Sequence, residues 1–326
     1  MDKRMIYLIS LIAELSQKID IPKVYSNKFK ASGNNYLSPT EKIRIEDLTN
    51  HFVTAGIVGR SEVLPIIGRD GYVITEFEPD VIGAQSPYSA SDLTLLQAGI
   101  PMFTATGTEI PTIKQLENKY GRILAAAIGN RFEKQCAEVY LKGTYTDKDG
   151  KILNVGVTKN TDITFTANAI YSDEILKLML SYQKKFGFFP TVEVGETIFN
   201  ALKNEANNTR QNINGVKFVF GEVPYLEIGQ KKIEILCDGK DTKDNVIDTK
   251  NLIILSTPRN LAVGYGCLTY GDIKANESRL VRAEIATGDT AVEATSGSKG
   301  LWAKSAPMPI LLTTEKFKRY KVKITA

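Results

Sequence analysis

The side chains best suited to chemistry are sparse here: a single histidine, His51, and three cysteines, Cys136, Cys237 and Cys267, among 326 residues. Acid–base and nucleophilic systems commonly use histidine because its proton affinity lies near neutrality. His51 stands beside Phe52 in a strand-like stretch, where a structural or surface role is expected. The cysteines are odd in number, far apart and without the paired spacing of a zinc or redox site, so free thiols in a reducing compartment are expected. Asp147, Asp149 and Gly150 begin like a calcium loop, but the ligand series is incomplete and its closing glutamate is absent, which leaves a hairpin turn. Asp238, Asp241 and Asp244, interleaved with lysines, read as a solvated loop. Gly264 and Gly266 open a dinucleotide fingerprint that lacks its third glycine, no Gly-Lys-Ser/Thr is present, and residues 297–300 read as a flexible loop. The expectation is a chain with no catalytic residue, no cofactor and no metal.

Composition narrows the classes further. At 43% hydrophobic the chain can bury a sizeable core, and a net charge of +4 from 41 basic and 37 acidic residues is too weak an excess for a dedicated nucleic-acid binder. The apolar run from Met5 to Leu15 is too short to span a bilayer, is interrupted by Glu14, and precedes no cleavage site, so a soluble, unexported chain is expected.

The elements follow from periodicity. Met5, Leu8, Ile12, Leu15 and Ile19 form one helical stripe that Pro22 ends. The polar, turn-rich stretch through Ser26, Lys28, Ser32 and Asn35 makes positions 1–40 read as an arm. Strand-like segments from Ile43, at 52–58 and at 63–67 lead to a turn at 68–71, and 72–77 returns as alternating strand, giving a long hairpin. Arg60, Glu62, Arg69, Asp70, Glu76 and Glu78 leave neither of its faces uniformly apolar, so such a ribbon needs cover from elsewhere. From Thr112 the positions Ile113, Leu116, Tyr120, Leu124, Ile128 and Phe132 step by three and four, predicting a helix of about 28 residues and about 42 Å. Gly121 and Gly129 inside it each cost about 1 kcal/mol against alanine; close packing against a neighbouring backbone and a bending point are both open. A hairpin over 141–152 follows. Next come a helix capped by Ser172 and stopped at Gly187, a strand at 191–194 and a helix at 196–205. Strands at 216–220, 231–236, 252–255, 280–285 and 317–324 complete an α+β chain. The last of these alternates lysines with apolar residues, as an edge strand with a charged outward face does.

Four short elements resemble the lambda-type major capsid protein family (major capsid protein E), which has the Hong Kong 97 phage capsid fold. They are Glu62, Val63, Gly71, Glu76, Phe77 and Pro79 in the hairpin; Leu141, Lys142, Gly143, Tyr145 and Thr146 after the long helix; Tyr265, Gly266 and Cys267; and Ser305, Ala306, Pro307, Leu311 and Leu312. Their order matches the family, with the long helix between the first and second. The resemblance implies an amino-terminal arm (1–40), strands and an extended β-hairpin loop (41–88), a peripheral domain with a spine helix (89–165), an axial domain (166–303) and a return to the peripheral domain (304–326). It further implies a non-enzymatic head protein of a tailed phage or prophage that self-assembles, as pentamers and hexamers of its own copies, into an icosahedral shell around non-specifically packaged DNA. A separate scaffolding protein, a portal and a decoration protein are the expected partners, with no membrane. The expected location is the virion shell, with host cytoplasm during assembly. Arg60, Glu62, Arg69, Asp70 and Glu76 of the extended loop are the expected inter-subunit contacts. An encapsulin-like nanocompartment shell and, more distantly, a carboxylate-only enzyme are the alternatives.

Overall fold

The computed structural model describes residues 22–33, 35–47, 73–88, 112–154, 161–166, 169–208, 210, 212–220, 224–272, 277–281, 283–289, 299–312 and 314–325. Among them the longest element is helix α2, Thr112–Leu141, 30 residues and about 45 Å at about 1.5 Å per residue. Leu124, Ile128 and Phe132 are buried along it, as their spacing predicts. Its middle packs Leu124 and Ile128 on strands β4 (Ile82–Tyr88) and β19 (Lys299–Ser305). Its second half sends Phe132, Cys136, Ala137, Tyr140 and Leu141 into a larger core.

That core also takes helix α1 (Val24–Ala31) and strands β15 (Leu261–Tyr265) and β20 (Pro307–Leu311). Strand β1 (Asn35–Leu37) runs parallel to β15, and β20 runs antiparallel to it on the other side. Within the described part of the expected arm, Tyr25 and Phe29, one helical turn apart, are buried in the body. The helix predicted at Met5 to Ile19 lies outside the described residues.

A seven-stranded sheet carries the second core. Its order is β7 (Thr161–Thr166), β21 (Lys318–Thr325), β14 (Leu252–Ser256), β8 (Thr191–Val194), β11 (Lys231–Ile235), β10 (Tyr225–Ile228) and β9 (Lys217–Val219). Helices α3 (Tyr171–Phe186) and α4 (Glu196–Asn207) pack Ile175, Met179, Ile198 and Leu202 against it. Strand β14 joins the two cores by simple alternation. Leu252 and Ile254 point into the core of the long helix, and Ile253 and Leu255 into that of the sheet. A strand buried on both faces reads as a continuous apolar run, as this one does.

Several expectations change. Ser172 does not cap α3; it lies inside the first turn, and the carboxylate of Glu205 accepts the Tyr171 and Ser172 amides at 2.5 and 3.1 Å. Gly187 does stop the helix, at φ +81°. Strand β21 is interior to the large sheet rather than at an edge, so the chain after Lys304 divides between β20 beside β15 and β21 beside β14. Lys299 and Gly300, expected in a flexible loop, pair with Tyr88 and Pro87. The strand expected at 280–285 is instead two, β17 (Glu277–Val281) and β18 (Ala286–Asp289).

The glycines of the long helix separate. A Cβ on Gly129 would lie 3.2 Å from the Lys23 side chain, which crosses the helix there, whereas one on Gly121 meets nothing within 4 Å. Gly143, at φ +78°, leaves the helix in a left-handed conformation with the Arg319 guanidinium where a side chain would stand. Gly143→Ala should lower stability by more than the about 1–2 kcal/mol of a left-handed alanine, since Arg319 must also move. Gly121→Ala should raise it by about 1 kcal/mol. Denaturant unfolding of the two variants checks both signs.

Candidate functional site

Among the described residues, strands β2 (Ile43–Asp47) and β3 (Val73–Phe77) pair only with each other, antiparallel, from Ile43 opposite Phe77 to Asp47 opposite Val73. They are the root of the expected extended loop, but not in the expected register. Every pair is equidistant from position 60, so 73–77 takes 43–47 as its partner; the 63–67 segment and the expected turn at 68–71 lie outside the described residues. Glu76 stands opposite Arg44 and is exposed. Arg60, Glu62, Arg69 and Asp70 lie outside the described residues.

The root is clamped to the body. Ile43 and Phe77 are buried. Gly264 leaves room for Ile43, whose Cδ1 would be 2.8 Å from a Cβ there, and Gly266 leaves room for Pro79 and the Glu41 carbonyl, at 2.7 and 2.9 Å. The Cys267 amide donates to the Thr40 carbonyl at 2.9 Å and the Gly266 amide to Ala306 at 2.9 Å. Ser38 and Thr40 hydroxyls both donate to the Lys42 carbonyl, at 2.7 and 2.8 Å. The incomplete glycine fingerprint at 264 and 266 is thus a pair of close approaches that seat the hairpin.

The described residues of the four sequence elements quoted above converge on this place. Pro79 touches Gly266, which bonds to Ala306. The element after the long helix reaches it through Tyr145, whose hydroxyl donates to Asp80 at 3.0 Å. Burial, with the Asp80 charge beside it, pushes the Tyr145 phenol well up, so the hydroxyl remains a donor.

The charges buried around the long helix all hold structure. Glu133 accepts the Tyr25 and Ser26 amides at 2.7 and 2.8 Å, capping α1 from 108 residues away. Lys28 of the same helix reaches Glu193 on β8 at 2.6 Å. Glu138 accepts the Thr146 hydroxyl and, at 3.0 Å, that of Thr242. Arg319 donates to the Val139 carbonyl at 3.3 Å, beside the helix's carboxyl end, where the dipole favours a cation. Burial draws its pKa down to about 10, so it stays charged at neutral pH.

Asp241, expected in a solvated loop, is 7% exposed. It accepts Lys142 Nζ and the Lys243 and Asn245 amides, each at 2.9 Å, and so pins its turn to the end of α2. Burial opposes its ionisation, but the ammonium and these amides prevail and hold the carboxyl at about 2. Asp147 accepts the Asp149 and Lys151 amides at 3.0 and 2.7 Å in the expected hairpin turn. Among the described residues no cluster of three or more His, Cys, Asp or Glu could hold a metal, and no helix is long and apolar enough to cross a membrane. His51 lies outside the described residues. Cys136, Cys237 and Cys267 are free thiols.

Residues 10–313 match the family described as phage major capsid protein E. No curated protein matches the sequence. Among solved structures, the capsid protein of a prophage of Escherichia coli CFT073 is 16% identical, with 94% of this chain and 96% of that one covered at a TM-score of 0.48. The holo-SrpI encapsulin of Synechococcus elongatus PCC 7942 is 10% identical, with 93% and 90% covered at 0.47. The mature capsid of bacteriophage PhiM1 is 12% identical, with 89% and 86% covered at 0.47.

Two outcomes follow from the buried carboxylates. Glu133→Ala should remove about 1–2 kcal/mol from α1 and speed exchange of the Tyr25 and Ser26 amides about tenfold, read by hydrogen–deuterium exchange. Because the folded pKa of Asp241 is depressed, its contribution is complete above the unfolded value near 3.8 and is lost as pH falls through about 2. Asp241→Asn should flatten that part of the acid-denaturation curve.

Proposed function

The chain belongs to the phage major capsid protein E family and is a shell-building subunit of a tailed-phage or prophage head, with the Hong Kong 97-type capsid fold; from this premise we propose how its copies join. The hairpin rooted at β2 and β3 lies over the neighbouring copy, and Arg60, Glu62, Arg69, Asp70 and Glu76 set its register there through polar and charged contacts. Copies arranged as pentamers and hexamers close an icosahedral shell. Many modest, partly polar contacts let wrong pairings dissociate during assembly, while their sum makes the finished wall hard to dismantle.

The observation that carries this reading is the root itself. Its inner end is fixed in the body by Ile43, Phe77 and Pro79, yet its two strands join no other strand of the described chain. An isolated two-stranded ribbon is marginal in water, so one anchored this firmly at one end gains its remaining stability from another molecule. Packaged DNA is held mechanically and without sequence preference, because +4 neutralises few phosphates. A separate scaffolding protein directs assembly in the host cytoplasm, a portal and a decoration protein complete the head, and the chain itself carries no catalytic activity.

Electron microscopy of the purified protein, expressed with and without a candidate scaffolding protein, tests the reading: closed symmetric particles are expected, and a discrete small oligomer under both conditions would refute it. Reversing Arg60, Glu62, Arg69 and Asp70 together should abolish closed shells and leave the melting temperature of the unassembled subunit unchanged.

A further inference from the structure

Three segments far apart in the chain meet near the carboxyl end of α3: Phe188 just beyond it, the short 3-10 helix Pro258–Asn260, and the short 3-10 helix Thr314–Lys316. They are tied together. The Tyr182 hydroxyl donates to the Lys316 carbonyl at 2.9 Å, Phe188 meets the Tyr182 ring edge-on at 5.7 Å, and the Leu312 amide donates to the Asn260 carbonyl at 2.9 Å. Between them lies an open pocket of about 370 Å³ lined by Phe188, Thr257, Arg259, Asn260, Leu312 and Lys316. Its lining has two cations and two neutral side chains able to donate hydrogen bonds, and among the described residues no carboxylate.

The surroundings have the same sign. Lys184 and Lys185 occupy the last turn of α3, where they offset the partial negative charge that a helix places at its carboxyl end. Glu315, next to Lys316 in the chain, is bridged to Lys185 at 3.1 Å. Lys318 still feels an excess of positive charge: burial lowers its pKa, and Lys185 lowers it further against the opposing pull of Glu315.

We propose that this pocket binds a phosphate group. The Arg259 fork matches two phosphate oxygens and the Lys316 ammonium supplies a point charge, while donors arriving from separate segments suit a tetrahedral anion better than a flat carboxylate. The pocket is larger than phosphate alone, and Phe188 and Leu312, both exposed, give it an apolar wall for whatever the phosphate is attached to. Two sources carry this chemistry, the backbone of DNA and free phosphate. Backbone contacts of this kind read no sequence. If DNA is the source, this face of the subunit is the inner wall of the shell; that assignment rests on the shell reading above, whereas the pocket belongs to the single subunit.

Calorimetric titration of the unassembled full chain with inorganic phosphate, at an ionic strength held constant with chloride, should show one saturable site. Arg259→Gln combined with Lys316→Gln should weaken it about tenfold or more while keeping the far-UV circular dichroism of the parent. Lys316→Arg, which keeps the charge, should retain binding, and Arg259→Gln alone, at an exposed position, should show a smaller loss even if the double variant fails to fold. No saturable binding by the parent, or equal binding by parent and a folded double variant, would overturn the site. Poly-glutamate displacing phosphate as well as DNA does would overturn phosphate as its ligand. Anisotropy of a short labelled duplex across a salt series separates the two sources. A backbone phosphate in the pocket makes the double variant lower the slope of log affinity on log salt by about 1. An unchanged slope with phosphate binding lost assigns the pocket to free phosphate. A parent that binds phosphate but forms no shells counts against the shell reading alone.

Discussion

A carboxylate taken out of water without partners costs several kcal/mol, and the second half of the long helix buries two of them, Glu133 and Glu138. Each is stable only because elements distant in sequence deliver donors to it: the first turn of α1 to Glu133, and Thr146 with Thr242 to Glu138. The dependence is mutual, since the residue at the start of α1, Lys23, makes no side-chain capping bond to its amides. Lys142 and the Val139 carbonyl extend the same row to Asp241 and Arg319. The helix is thus a rod whose one half fixes four other parts of the chain, while its middle meets the β4 and β19 strands through a smaller cluster.

In the proposed shell contact, this rigidity gives the hairpin its direction. The root is seated on β15 and β20, which belong to the same core as the rod, so a displacement of the root is resisted by the whole body. A shell needs neighbours to meet at a fixed small angle, and a contact carried on a floppy base could not hold one. Buried charge networks of this kind bring little net stability over an apolar core but specify one arrangement. For a subunit that must tile, specification is the property that counts.

Much of this was legible in the residues. The long helix was visible because Leu124, Ile128 and Phe132 keep one face, and β14 because a short apolar run bounded by turns leaves few alternatives. Helix α1 was not, because only Tyr25 and Phe29 mark its buried face and its cap comes from Glu133. The partner of β3 was missed because the nearest turn signal, at 68–71, outweighed the more distant Ile43 segment that the register selects. Asp241 looked solvated because nothing local shows that Lys142 lies across from it. The Tyr-Gly-Cys and Ser-Ala-Pro elements were recognisable as patterns, but their purpose, room for Pro79 and a bond from Gly266 to Ala306, exists only in three dimensions.

Hydrogen–deuterium exchange of the unassembled subunit, compared residue by residue with the same chain in closed particles, bears most directly on the division between a self-sufficient body and segments completed by other copies. The account predicts equal protection in both states for α1, the second half of α2 and β14, with protection gained on assembly at 43–47 and 73–77. Full protection of those two segments in the lone subunit would contradict it.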